Sequence, residues 1–157
     1  GLPYTFKHFG ILANQIDKLL SERRGELNIL SNNEFKKWGG LIGNQTLESM
    51  AKKFFRKSIS FVRIHNWEIS TLIDVAKMCD IGIIPVNTKD SFANLKPENK
   101  LLSMWILGLP TLASRTLAYE RVMNSAELDF CLVDDDQWGT KVSQLLSDSD
   151  LYYGKSH

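Results

Sequence analysis

The sequence predicts an α/β domain, a doubly wound parallel sheet of about six strands with helices on both faces. Three observations carry this. Short apolar runs alternate with stretches of helical period along the whole chain. No hairpin signal joins any two of the runs, so consecutive strands are linked by crossovers and lie parallel. The 157 residues, 43% hydrophobic and 24% charged, suit one globular domain over 1–157, too apolar for disorder and able to bury a core without disulfide or metal staples.

Taken in order, residues 4–12 hold the first strand, ending near Gly10. Leu12, Ile16, Leu19 and Leu20 then recur at helical spacing, and Gly25 stops that helix. Residues 27–30 are the second strand, followed by a polar loop through Trp38, Gly39, Gly40 and Gly43. Asn44-Gln45-Thr46 has the form of a glycosylation sequon, and is read as a helix start. Leu47, Met50, Ala51 and Phe54 mark the next helix, whose other face carries Lys52, Lys53, Arg56 and Lys57. Residues 60–64 are the third strand, and Ile69, Leu72, Ile73 and Ala76 give the clearest helical period in the chain.

Residues 81–86, Ile-Gly-Ile-Ile-Pro-Val, read as a strand buried on both faces, as parallel strands are. A polar loop over 87–96 leads into a helix over 98–107, stopped by Gly108. Pro97 falls in its first turn, and Leu101, Met104, Trp105 and Leu109 are expected in the core. Residues 109–113 form a central strand, 119–123 a short helix and 130–133 a sixth strand. Asp134, Asp135 and Asp136 cap a last helix with Val142, Leu145 and Leu146 inward.

Charge excludes one class of partner. Lys plus Arg is 19 and Asp plus Glu is 18, a net charge of +1, which removes the simplest case for nucleic-acid binding. No apolar run reaches the length of a membrane-spanning helix. The start, Gly1-Leu2-Pro3-Tyr4, lacks both Met and the order of a signal peptide, and reads as the beginning of an excised fragment. Cys79 and Cys131 have no metal-type spacing and are expected as buried free thiols of a reducing, cytoplasmic compartment.

Ligands of doubly wound sheets bind beyond the carboxyl ends of the strands. The loop after Val86 is the most informative there. Lys96 and Lys100 flank a helix start whose unpaired amides suit an anion, although as isolated residues they would be solvated surface charge.

Several strings together resemble a known family. They are Asn66-Trp67, then Cys79-Asp80-Ile81-Gly82-Ile83-Ile84-Pro85-Val86, then Asn99-Lys100-Leu101-Leu102, then Trp105-Ile106-Leu107-Gly108-Leu109-Pro110-Thr111-Leu112-Ala113-Ser114. In this order they resemble the C-terminal half of a GT-B glycosyltransferase, of the group-1 or family 4 kind, densely over residues 61–123 and more loosely outside. The resemblance implies a Rossmann-like domain that binds a nucleotide-sugar donor, with an N-terminal acceptor-binding domain as its partner and chemistry in the cleft between. Gly10 matches the glycine at the end of the first strand. His65, Asn66 and Trp67 match the nucleobase region, and the turn of Lys96, Glu98, Asn99 and Lys100 matches the diphosphate and sugar region. Ser114, Arg115 and Thr116 would face the same cleft.

Departures accompany the match. The family's spaced glutamate pair would fall, counting back from Gly108, on Leu95 and Ser103, so it is absent; Glu98 is the nearest substitute. The basic residues that hold phosphate after the first strand are also missing, with Ile11 following Gly10 and only Asn14 and Lys18 close. Transfer from a nucleotide sugar builds negative charge on the departing diphosphate, and Lys96, Lys100 and the amides near Asn99 would stabilise it. No metal and no cofactor is called for; the nucleotide sugar enters as substrate, in the assembly of a glycan, lipid-linked or polysaccharide precursor.

Other residues carry two readings. His65 is either a base contact or a loop histidine with a local backbone bond. The Lys52, Lys53, Arg56, Lys57 cluster is either a solvated helix face or, through lipid-linked acceptors, a contact with a membrane surface. His8 and His157 have no partner at catalytic spacing. Two other functions compete. A signalling receiver domain needs an acidic pair after its first strand and an Asp ending its third, but these places read Gly10-Ile11-Leu12 and His65-Asn66. A donor-domain scaffold without catalysis is kept open by the absent glutamate pair.

Overall fold

The protein is a small α/β structure whose described strands all pair in parallel, in a two-stranded and a three-stranded sheet. A computed structural model describes residues 8–23, 25–31 and 46–148. The chain divides into two compact units, 1–75 and 76–157.

In the first unit, residues 8–11 form a tight 3-10 turn that runs into helix α1 (Ala13–Arg23). Leu12, Ala13, Ile16 and Leu20 bury one stripe of it, as their spacing requires. Gly10 therefore lies in a helical lead-in and not at the end of a strand; the remainder of the predicted first strand, residues 4–7, lies outside the described residues. Strand β1 (Leu27–Ser31) alternates buried and half-buried residues. The loop with Trp38, Gly39, Gly40 and Gly43 lies outside the described residues. Helix α2 (Leu47–Phe54) starts where the sequence predicts: Thr46 is its N-cap, its hydroxyl accepting from the Ser49 amide at 3.1 Å. Leu47, Met50 and Ala51 are buried, and α2 packs on α1 and on strand β2 (Val62–Asn66).

Strand β2 begins two residues later than its composition suggests, because Ile59–Phe61 closes a 3-10 turn. The Phe61 amide donates to the Ser58 carbonyl at 2.8 Å, and Ser58 is itself pinned by Asp17. β1 and β2 pair in register from Leu27 opposite Val62 to Ser31 opposite Asn66. Helix α3 (Ile69–Ala76) follows, with Leu72 and Val75 buried.

The second unit is built on the sheet order β3-β4-β5, from Gly82–Ile84, Thr111–Ser114 and Leu132–Val133. β4 is central and buried at every residue, Leu112 included, as expected. A methyl on Gly82 would come within 3.0 Å of the Thr111 hydroxyl, so the absence of a side chain there permits the close β3–β4 approach. Between these strands the predicted loop contains a short helix, α4 (Ser91–Asn94), which the sequence reading missed. Asp90 creates it by accepting from the Phe92 and Ala93 amides at 3.0 and 3.3 Å. Helix α5 (Asn99–Ile106) packs on β3 and β4. Its N-cap is Glu98, so Pro97 stands just outside the first turn. Leu101 and Leu109 are buried as expected, whereas Met104 and Trp105 are half-buried. Gly108, at φ +71°, ends the segment in the left-handed region.

Helix α6 (Leu117–Ser125) is longer at both ends than predicted, and packs on β5. A 3-10 turn at Asp129–Cys131 shortens the last strand. Helix α7 (Trp138–Ser147) has Gln137 as its N-cap, with no side-chain bond, so the aspartate triplet does not cap it. That start puts Trp138, Val142 and Leu145 inward and leaves Leu146 on the exposed side. Neither cysteine is in a disulfide; Cys131 is buried and Cys79 half-buried.

Candidate functional site

In each unit the parallel strands share one carboxyl edge, and the sequence-predicted residues other than Gly10 lie on the segments that reach or follow it. In the second unit, Ser114 ends β4. Its hydroxyl accepts the Val86 amide at 2.8 Å, tying the segment after β3 to β4, and the side chain is buried. Thr116 is also buried, as the N-cap of α6, accepting from the Tyr119 amide at 3.3 Å. Both hydroxyls thus hold the architecture of the edge. Arg115 is exposed between two carboxylates, 3.2 Å from Glu120 and 3.3 Å from Asp134. The Glu120 hydrogen bond and the Asp134 charge raise its pKa above the ordinary arginine value. Asp134, read from the sequence as a helix cap, is instead an arginine partner.

The turn into α5 has the most distinctive electrostatics. A parallel crossover returns the chain to the amino end of β4, so the amino end of α5 lies toward the carboxyl edge of the sheet. Lys96 and Lys100 lie on either side of that helix start. Lys100 is exposed as a residue, yet its ammonium is crowded by protein; that desolvation, and then the charge of Lys96, lower its pKa. Glu98 lies between them in sequence. Its carboxylate accepts from Arg121 on α6 at 2.7 Å, and its own backbone amide and Arg121 hold its pKa below the usual carboxylate value. Tyr119, buried beside this pair, has its phenol pushed up to about 12 by burial and by the Glu98 charge. Asn99 is exposed at the first position of α5, its carbonyl accepting the Ser103 hydroxyl at 2.8 Å. Leu95, 73% exposed, and Ser103 occupy the two positions where the resemblance would place glutamates. Asn94 Oδ1, at the end of α4, is buried without a hydrogen-bond partner.

With this geometry in hand, comparison with protein-family models, curated proteins and solved structures finds no match. The chemistry has to be argued from the residues.

In the first unit, Asn66 ends β2 and is exposed. Trp67 follows, 39% exposed, its amide donating to the Ser31 carbonyl at 3.2 Å. His65 is not a loop histidine with a backbone bond. Its Nε2 lies 2.7 Å from Asn28 Oδ1 across the sheet. The Asn28 amide nitrogen donates to Glu26 at 3.3 Å, so its oxygen faces the imidazole and Nε2 is the donor. Gly10 shows no special need for glycine: a methyl there would make ordinary contact with the Phe54 ring at 3.6 Å.

Sequence reasoning missed two groups. Arg121 is one, since nothing in the spacing links α6 to the Glu98 turn. Asp17 is the other: its carboxylate accepts from the Lys57 amide at 3.1 Å and from the Ser58 amide and hydroxyl at 2.9 and 2.7 Å. Its only trace in the sequence is an acid within the buried stripe of Ala13, Ile16 and Leu20, which does not reveal its partners. Lys52, Lys53, Arg56 and Lys57 are all exposed around the turn that Asp17 holds. Among the described residues, no group of three or more His, Cys, Asp or Glu could hold a metal ion. No helix among them is long and apolar enough to cross a membrane.

Proposed function

We propose that this chain is the donor-binding part of a glycosyltransferase, which binds a nucleotide sugar through its diphosphate and acts with a separate acceptor-binding domain. The observation that carries the reading is the Lys96–Lys100 pair. The Lys100 ammonium is partly desolvated and feels the like charge of Lys96, and a bound dianion would stabilise it. The same anion is the group on which charge builds during sugar transfer.

The parallel pairing within each unit supports the Rossmann-like reading that this function needs. Numbered as in the sequence reading, the observed pairs are 2–3 and 4–5–6. Each is an order found within the doubly wound arrangement 3-2-1-4-5-6.

A second reading rests on Leu95 and Ser103. With no carboxylate at either position, the domain would bind a donor without assisting transfer. Calorimetric titration with uridine, guanosine and thymidine diphosphates and their sugars tests the first step. Binding that Lys100→Ala weakens supports donor recognition, and no binding to any of the panel removes it. Donor binding without transfer by the chain joined to its acceptor-binding partner would favour the second reading.

A further inference from the structure

We infer that the end of α2 and the turn behind it form a docking surface for an anionic lipid membrane, with Lys52, Lys53, Arg56 and Lys57 as the cations that meet it. The inference is independent of the sugar-donor reading and concerns another part of the first unit.

The near-neutral charge of the whole chain conceals the feature. Residues 1–75 hold 11 Lys and Arg against 7 Asp and Glu, whereas residues 76–157 hold 8 against 11. The excess is densest over residues 52–57, which carry four cations and no acid. All four are exposed. Among the described residues, none of the four makes an ion pair. Glu48, the one acid of α2, stands a turn before Lys52 and makes none either. By contrast, Arg63, Arg115 and Arg121 each hold a carboxylate. Lys52 and Lys53 also suit the negative end of the α2 dipole. Arg56 and Lys57 lie beyond the helix, where that reason does not reach.

The turn that carries them is pinned on both sides. Before it, Phe55 is 0% exposed and its amide donates to the Ala51 carbonyl at 2.8 Å. After it, Asp17 of α1 accepts from the Lys57 amide at 3.1 Å and from the Ser58 amide and hydroxyl at 2.9 and 2.7 Å. The exposed cations therefore stand on a fixed base. α2 is the crossover between the parallel strands β1 and β2, so its carboxyl end lies at the amino edge of their sheet. His65, Asn66 and Trp67 lie at or after the other end of β2. A membrane docked on the cluster leaves that carboxyl edge uncovered.

The chemistry selects the partner. Three of the four cations are lysines, compact point charges without the planar fork that grips an individual carboxylate. They suit the diffuse field of an anionic leaflet, which a polybasic patch meets by reversible adsorption. Single-stranded nucleic acid would add base stacking to charge. Phe55 is buried and Phe54 half-buried, so neither ring of the cluster is an exposed platform.

The test is co-sedimentation of the whole chain with vesicles of phosphatidylcholine alone and of equimolar phosphatidylcholine and phosphatidylserine. The wild type should bind only the second kind, and added sodium chloride should release it by screening the field. Each cation removed should weaken binding by roughly fivefold, the worth of one basic residue near an anionic surface. Arg56→Gln/Lys57→Gln leaves α2 intact and should lose roughly twenty- to thirtyfold at an unchanged melting temperature. Lys52→Gln/Lys53→Gln should lose a similar amount. Lys89→Gln, which removes an exposed lysine of the second unit, should bind as wild type. Polyuridylate and polyglutamate are titrated against the same proteins. No binding to the phosphatidylserine vesicles, equal binding to both kinds, or indifference to salt overturns the inference on the wild type alone. Unchanged binding in the folded Arg56→Gln/Lys57→Gln protein, or an equal loss in Lys89→Gln, overturns it as well. So does a loss confined to polyuridylate or polyglutamate, which would assign the cluster to nucleic acid or to an acidic protein.

Discussion

At Lys100, a solvated surface lysine and a ligand lysine make opposite demands. Solvated, its loss should change stability by less than about 0.5 kcal/mol and nothing else. As a charge-assisted partner of a diphosphate it should contribute about 1.5–3 kcal/mol, or roughly ten- to a hundred-and-fiftyfold in Kd. Lys100→Ala should therefore weaken binding strongly while the melting temperature stays within about a degree or two of wild type. Because the pKa of this lysine is lowered, the affinity should begin to fall at a lower pH than for an ordinary lysine. Asp17 makes the complementary, purely structural case. Asp17→Ala strands the Lys57 and Ser58 amides and the Ser58 hydroxyl, at a cost of about 1.5–3 kcal/mol. Asp17→Asn, which keeps one oxygen acceptor, should lose less. Denaturant melts of the two variants decide it; equal stability of wild type and Asp17→Ala would contradict the clamp. The first of these residues was legible from its place in a carboxyl-edge turn. The second was not read, because an acid on an apolar stripe has meaning only once its partners forty residues away are folded against it.

Among the elements, periodicity located helices far better than their ends. The helices at Ala13–Arg23, Leu47–Phe54 and Asn99–Ile106 stand where the apolar spacing places them. The errors cluster where a side chain overrides composition. Asp90 turns a predicted loop into a helix by capping it, and Ile59–Phe61 and Asp129–Cys131 coil stretches that read as strand. The aspartate triplet resembled a cap, but its first member, Asp134, pairs with Arg115 instead. Gly108 is the terminator that the sequence named correctly, and its φ of +71° explains why. No atom lies within 4 Å of where its Cβ would be, so Gly108→Ala should suffer backbone strain alone. That strain is worth about 1–2 kcal/mol, and Gly108→Asn should recover part of it. Urea unfolding of the two variants checks this; a neutral Gly108→Ala would mean the turn relaxes to another conformation.

The whole molecule shows where burial stores stability against pH. The Cys131 thiol and the Tyr119 phenol are each pushed up to about 12, chiefly by burial in the second unit. Both are acids whose neutral form the fold favours, against unfolded values of about 8.5 and 10. Their contribution is complete below about pH 8.5 and is lost as pH rises from there to about 12. Melting temperatures measured from pH 7 to 12 should be level and then decline, with tyrosinate absorbance appearing as the protein unfolds. A constant melting temperature to pH 12 would contradict these burial assignments.

Alternation of apolar runs with helical period determined that this protein is α/β with parallel strands, because side-chain spacing records which faces must be buried before any partner is known. Local chemistry determined the Thr46 cap, the Gly108 stop and the cationic character of the turn at 96–100. Tertiary structure alone decided which strands pair, in the orders β1-β2 and β3-β4-β5. It alone decided that His65 bonds to Asn28 and that Glu98 pairs with Arg121 on another helix. Those choices depend on distances between residues far apart in the chain, and a carboxylate pairs with the cation the fold holds within about 3 Å of it, whichever is nearer in sequence.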